Sequence, residues 1–275
     1  MNNEILNKSF NKAIGGGLSG SLAMVSQVST LMWLRTIMNY QYVNGNGSGF
    51  KESFKTLYSQ GGIKRLYRGY SIAIINAPLF RFGDTAANIG ILELTKNSGL
   101  PLSVTTGFAS MGAASWRVLL MPADTLKLNY QVNGSLDILK TNIKSKGPKV
   151  LYNGSLAAFS STLIGHYPWF VTYNYLNLYF PENKNDSTSD KLIKRASIGL
   201  GSSLVSDTSS NFVRVIKTIK QTSHNTMTYK ETVRHLTEKE GYRWIFRGLK
   251  TKLITNGLNG IMFSITWKYF QEAFS

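Results

Sequence analysis

Gly61-Gly62-Ile63-Lys64-Arg65-Leu66-Tyr67-Arg68-Gly69 opens on small residues, sets an aromatic between bases, and closes on a glycine. The run returns as Gly147-Pro148-Lys149-Val150-Leu151-Tyr152-Asn153-Gly154 and again as Gly241-Tyr242-Arg243-Trp244-Ile245-Phe246-Arg247-Gly248. The closing glycines are 85 and 94 residues apart. Each copy follows a short stretch with apolar pairs at helical spacing, Phe54/Leu57, Leu139/Ile143 and Val233/Leu236. A unit of this length that recurs three times is the first fact any fold must satisfy.

A second echo lies upstream of each copy. The middle one reads Pro122-Ala123-Asp124-Thr125-Leu126-Lys127, the first Thr30-Leu31-Met32-Trp33-Leu34-Arg35, and the third Ser209-Ser210-Asn211-Phe212-Val213-Arg214. A base holds the same slot in all three, and a glycine stands ten residues before each motif, at Gly20, Gly112 and Gly199. The agreement divides the chain into repeats over 9–97, 101–186 and 190–275.

The composition narrows the class. The 275 residues carry 31 Lys and Arg against 14 Asp and Glu, a formal charge of +17. Charged residues make up only 16%, against roughly a quarter in an ordinary soluble domain. No Asp, Glu, Lys or Arg occurs from Ala13 to Leu34, Asn97 to Trp116 or Val150 to Pro181, and shorter gaps run Gly69 to Phe80, Ala196 to Ser206 and Leu253 to Trp267. About 20 residues cross a hydrocarbon core, so six alternating stretches of this kind read as membrane helices. Their many Ser, Thr, Asn and Gly residues suit close helix packing, and the mean hydropathy of −0.11 suits a bundle lining a watery cavity. Gly16 and Gly20 form one such small-residue contact.

These residues resemble the mitochondrial carrier family, whose repeat carries P-x-[DE]-x-x-[KR] followed by an aromatic-basic-glycine signature. The resemblance implies an all-α membrane protein with six transmembrane helices in three pseudo-symmetric repeats, each with a short amphipathic matrix helix, around a central cavity. It implies a multi-pass protein of the mitochondrial inner membrane, monomeric, moving a small metabolite by alternating access. A related organelle membrane is also compatible, since the first ten residues show neither a secretory signal nor an Arg-rich leader.

Within that frame Pro122 is expected to bend the third helix. Arg35, Asp124, Lys127, Asp207, Asn211 and Arg214 form the matrix gate, with Asp124 paired to Arg214. Met32 and Asn211 replace the acids of the outer copies, and Thr30 and Ser209 replace the prolines, so those helices should kink less. Asp207, one turn before Asn211, is either a displaced acid or a local hydrogen-bonding group. Glu93 and Lys96 are what remains of a cytoplasmic gate. Arg81, His166 and Gly260 fall at one depth, twelve residues after the signature glycines, and Arg117 lies two turns above Asp124. Arg81 and Arg117 are expected to grip an anionic group, with His166, Tyr167 and Trp169 lining the pocket. Arg81 could instead pair with Asp84, and His166 could be an interhelical donor.

The surplus of bases is not clustered as a groove-reading helix requires, so nucleic acid is not an expected partner. Membrane lipid is. The resemblance points to cardiolipin at Gly69, Gly154 and Gly248. With no cysteine, no nucleophile elbow and no phosphate-binding loop of P-loop spacing, no enzyme, cofactor or metal site is expected. The missing gate acids keep one alternative open: a carrier-fold protein that no longer transports and serves as a scaffold or adaptor.

Overall fold

The computed structural model describes residues 3–45, 49–95, 98–181, 187–224 and 227–273, and helix is the only regular structure among them. Six long units dominate: α1 (Asn3–Asn44), α4 (Tyr70–Thr95), α5 and α6 in tandem (Leu102–Leu119 and Met121–Asn133), α8 (Ser155–Tyr179), α9 (Thr188–Thr222) and α11 (Leu249–Ala273). Short pieces join them at one end: α2 (Phe50–Ser59) and α3 (Gly62–Leu66), then α7 (Asp137–Lys146) with a 3₁₀ turn at Pro148–Tyr152, then α10 (Tyr229–Glu240) with a 3₁₀ turn at Gly241–Phe246.

The joining helices are amphipathic, and one leucine anchors each. Leu57, Leu139 and Leu236 are fully buried, while the opposite faces of α2, α7 and α10 are open. Thr228 and Glu231 close a capping box that starts α10, satisfying amides the first turn leaves free.

Pro122 marks where the third long unit breaks, whereas Pro78 and Pro168 lie inside the unbroken α4 and α8. α5 stops at Leu119 and α6 restarts at Met121, with Leu120 between them and Pro122 in the first turn of α6, where its missing N–H costs nothing. α1 and α9 run unbroken through the equivalent positions. There Thr30 and Ser209 instead donate their hydroxyls to carbonyls four residues back, at 2.8 and 2.9 Å. The difference in kinking expected from the sequence is therefore present in the backbone.

Among the described residues, no helix is long and apolar enough to cross a membrane. The six expected spans exist as long helices without the mean hydropathy of spans. α8 shows the length without the apolarity: 25 residues extend about 38 Å, and the segment is free of charge, yet Ser, Thr, Tyr and Asn dilute its Leu, Phe and Val. α9 carries acids and bases along its length.

The core gathers at the end where the short helices sit. Met38 and Tyr42 of α1 pack with Val213, Val215, Ile216 and Ile219 of α9, under Leu236 and Trp244. This contact joins the first repeat to the third and closes the bundle into a ring. Ile37, Leu57 and Leu66 fill the first repeat, and Val28, Met32 and Ala73 fasten α1 to α4.

Candidate functional site

The three signature glycines explain how the ring is held. All have positive φ, at 81°, 85° and 64°, a region that costs a Cβ. Each also presses on the odd-numbered unit of the next repeat. A Cβ on Gly69 would stand 3.0 Å from Tyr130, one on Gly154 would stand 3.1 Å from the Lys217 carbonyl, and one on Gly248 would stand 2.8 Å from the Tyr42 ring. Three residues before each glycine a carbonyl accepts a hydrogen bond from the repeat's own long helix: Leu66 from Thr36 at 2.7 Å, Leu151 from Thr125 at 2.8 Å, and Ile245 from Asn211 at 2.7 Å. The turn is thus tied to its own repeat and wedged against its neighbour.

The helix ends at these seams leave carbonyls that need donors. Arg65 supplies them to α6, reaching the carbonyls of Gln131 and Val132 at 2.8 Å each, and Arg68 donates to Gly134 at 2.5 Å. Burial, with Arg68 beside it, pulls the Arg65 guanidinium down to about 10, still protonated at neutral pH. Arg247 does the same for α1, donating to Tyr42 and Val43 at 3.1 and 3.0 Å while Glu240 grips it at 2.6 Å. Sequence reading treats both arginines only as signature bases.

Above these seams lies a cavity of about 300 Å³, lined by residues of all six long units. α1 contributes Val28, Met32, Arg35 and Asn39, a single face at three- and four-residue spacing. The even-numbered units contribute Ala73, Ala158 and Lys252, four residues after each signature glycine, then Ser161 and Thr255 at seven, Ala77 and Asn256 at eight, and finally Phe80 at eleven.

Six bases reach this wall, Arg35, Arg117, Lys127, Arg214, Lys217 and Lys252, against one acid, Asp124. Asp124 does not pair with Arg214, the partner that the family resemblance implies. It lies between Lys127 of its own helix at 2.5 Å and Lys217 of α9 at 2.6 Å. Arg214 turns to Asp207 at 3.7 Å, and Asp207 also meets Lys252 at 4.0 Å and accepts from Asn256. Asp207 is therefore more than a local cap, since its partners include two groups of α11. Asn211 is committed to the backbone, donating to Ile245 and Arg247 and accepting from Tyr42 at 3.2 Å. Among the described residues no carboxylate pairs with Arg35.

Arg117 is held from α4. Gly83 has no side chain because Trp116 fills the space a Cβ would take, and the Trp116 indole donates to the Leu79 carbonyl at 2.8 Å. That close approach of α4 and α5 brings Asp84 to Arg117 in a two-pronged contact, Nε to Oδ1 at 3.0 Å. Asp84 thus serves Arg117, not Arg81. The Phe80 ring lies 5.7 Å from both the Arg117 and Lys127 cationic groups.

The structure does not bring the other expected pocket residues to this wall. Arg81 is exposed on α4, one residue past Phe80, and Tyr167 is exposed on α8. His166 Nδ1 lies 3.2 Å from Ser110 Oγ, between α8 and α5. Trp169 stacks on Tyr173 with centroids 4.8 Å apart and donates to Ser203 of α9 at 3.4 Å. Glu93 is half-buried near the end of α4, and Lys96 lies outside the described residues. Gly16, Gly20 and the end of α11 lie where side-chain packing is not described.

A family model described as mitochondrial carrier protein matches residues 188–275. Over 88% of both chains, the sequence is 24% identical to mitochondrial citrate transporter D of Aspergillus niger. It is 24% identical to solute carrier family 25 member 43 of Mus musculus over 52% of this chain and 47% of that one. It is 29% identical to mitochondrial substrate carrier family protein X of Dictyostelium discoideum over half of each. The chain spans about half the length of these last two relatives. The family comprises transporters, not enzymes. With residues 188–275 matched by the family model and 88% of the chain alignable to a mitochondrial citrate transporter, this chain is similar to mitochondrial carrier proteins over most of its length.

Proposed function

We propose that the protein is a multi-pass transporter of the mitochondrial inner membrane that moves a small anionic metabolite by alternating access, its six long units crossing the bilayer. One observation carries the reading: a cavity faced by every long unit, where six bases meet three nearby carboxylates, Asp84, Asp124 and Asp207. Three positive charges remain in a confined polar space, which draws anions in and holds them. The Aspergillus niger relative is named for citrate, itself an anion.

In this reading Arg117 is the first substrate contact, already presented as a fork by Asp84. Arg81, His166, Tyr167 and Trp169 would join only after the helices re-pack toward the other side. Asp124 with Lys127 and Lys217, and the Arg35, Asp207, Asn211 and Arg214 group, form the closed matrix floor, while Glu93 and Lys96 belong to the opposite gate. Cardiolipin phosphates would sit at the helix starts beside Gly69, Gly154 and Gly248. A single bound substrate switches which end is more stable.

Reconstituted protein should accumulate an anionic metabolite, and Arg117→Ala should slow that uptake at least tenfold. Unchanged uptake by the variant would remove Arg117 from the site. The scaffold reading is favoured by Asn211, a gate position now spent on backbone bonds. It expects no metabolite to stabilise the protein against heat.

A further inference from the structure

The cavity floor is built three times from one motif and finished differently each time. In the middle copy the acid is present, and Asp124 neutralises against Lys127 and Lys217. In the first copy its place is Met32, buried on the cavity wall one turn before an Arg35 with no carboxylate partner among the described residues. In the third copy its place is Asn211, whose amide is turned into the backbone at the seam. Arg214 and Lys252 then share Asp207 at 3.7 and 4.0 Å, the long edge of ion pairing. Arg35 and Arg214 both act on the Lys252 ammonium as like charges. Three cations from α1, α9 and α11 thus converge on one cavity with a single acid among them, and uncompensated charge in such a place is costly.

We propose that Arg35, Arg214 and Lys252 hold a small dianion, a dicarboxylate or phosphate, whose two negative charges stand in for the acids absent from the first and third copies. The inference deepens the transport reading and rests on it only for the claim that the bound anion is cargo. Two guanidinium forks match the paired oxygens of carboxylate or phosphate, and the ammonium adds a third point of charge. The cavity offers the liquid volume of roughly ten waters, enough for such an ion. Once bound, the ion links α1 to α9 and α11 and removes their repulsion.

The test is thermal unfolding of the purified full chain with inorganic phosphate, succinate or acetate at matched ionic strength. At least one of the two dianions should stabilise the protein and acetate should not; which one does so assigns the class. Arg35→Ala should weaken that response at least tenfold in concentration. Met32→Glu, which returns an acid to the wall beside Arg35, should abolish it; if that variant fails to fold, Arg35→Ala decides alone. Arg234→Ala, on the exposed face of α10, should respond like the parent. No response to either dianion, an equal response to acetate, or an unaltered Arg35→Ala would overturn the site. Uptake into vesicles separates the two readings. Dianion binding that Arg35→Ala destroys, without uptake, keeps the site and sinks transport. Anion uptake that Arg35→Ala leaves alone does the reverse.

Discussion

The ends of α1 and α6 are held by arginine, and the end of α9 by asparagine. Arg247 closes the first with a buried guanidinium gripped by Glu240, and Arg65 closes the second. At the third seam the signature has Val150 and Asn153 where the others have Arg65 and Arg247. There the carbonyls of Gln221, Thr222 and Ser223 accept from Asn129, Asn133 and Asn142 at 2.9, 3.0 and 3.2 Å. The same geometric demand, orphan carbonyls at a helix end wedged by a glycine, is met once by neutral amides spread over two helices and twice by arginine, Arg247 at one seam and Arg65 with Arg68 at the other. The lesson is that the ring is specified by the need for donors at each seam, not by any one residue type.

That contrast can be broken at its strongest point. Arg247→Ala strips a buried cation from Glu240 and from two carbonyls, and should cost about 3–5 kcal/mol. Arg65→Ala removes charge-assisted bonds to three carbonyls without stranding an acid, and should cost about 2–3 kcal/mol. Asn129→Ala removes one amide that serves Thr125 and Gln221, for about 1–2 kcal/mol. Thermal unfolding of the three variants beside the parent should rank them in that order. An Asn129 variant as damaging as the Arg247 variant would show that the amide seam, not the charged ones, limits the ring.

Much of this was legible beforehand, for reasons local to the chain. The thrice-repeated signature announces three like turns, and Pro122 against Thr30 and Ser209 announces which long unit breaks. The partner of Asp124 was not legible. The family resemblance implies Arg214, but the packing of α6 on α9 offers Lys217, one turn further along. The cavity wall was misjudged by one residue, since twelve positions past the glycine reaches Arg81 while the wall runs through the fourth, eighth and eleventh. A helical face repeats every three or four residues, and Ala73, Ala77 and Phe80 would have shown it. The absence of charge points in the other direction: stretches free of charge suggest membrane spans, yet their Ser, Thr and Asn keep every described helix below the apolarity of one.

Because the chain has no cysteine, one added thiol reports on the cavity directly. Ser161→Cys would place it on the cavity wall, and Leu178→Cys on the exposed face of the same helix. A ring enclosing surplus cations attracts anions and favours the thiolate. The Ser161 variant should then react faster with an anionic thiosulfonate than with a cationic one, and phosphate or succinate should slow it, while the Leu178 variant shows neither preference nor protection. Equal rates for the two reagents at position 161, with no protection by either anion, would contradict a cation-lined cavity at the centre of the molecule.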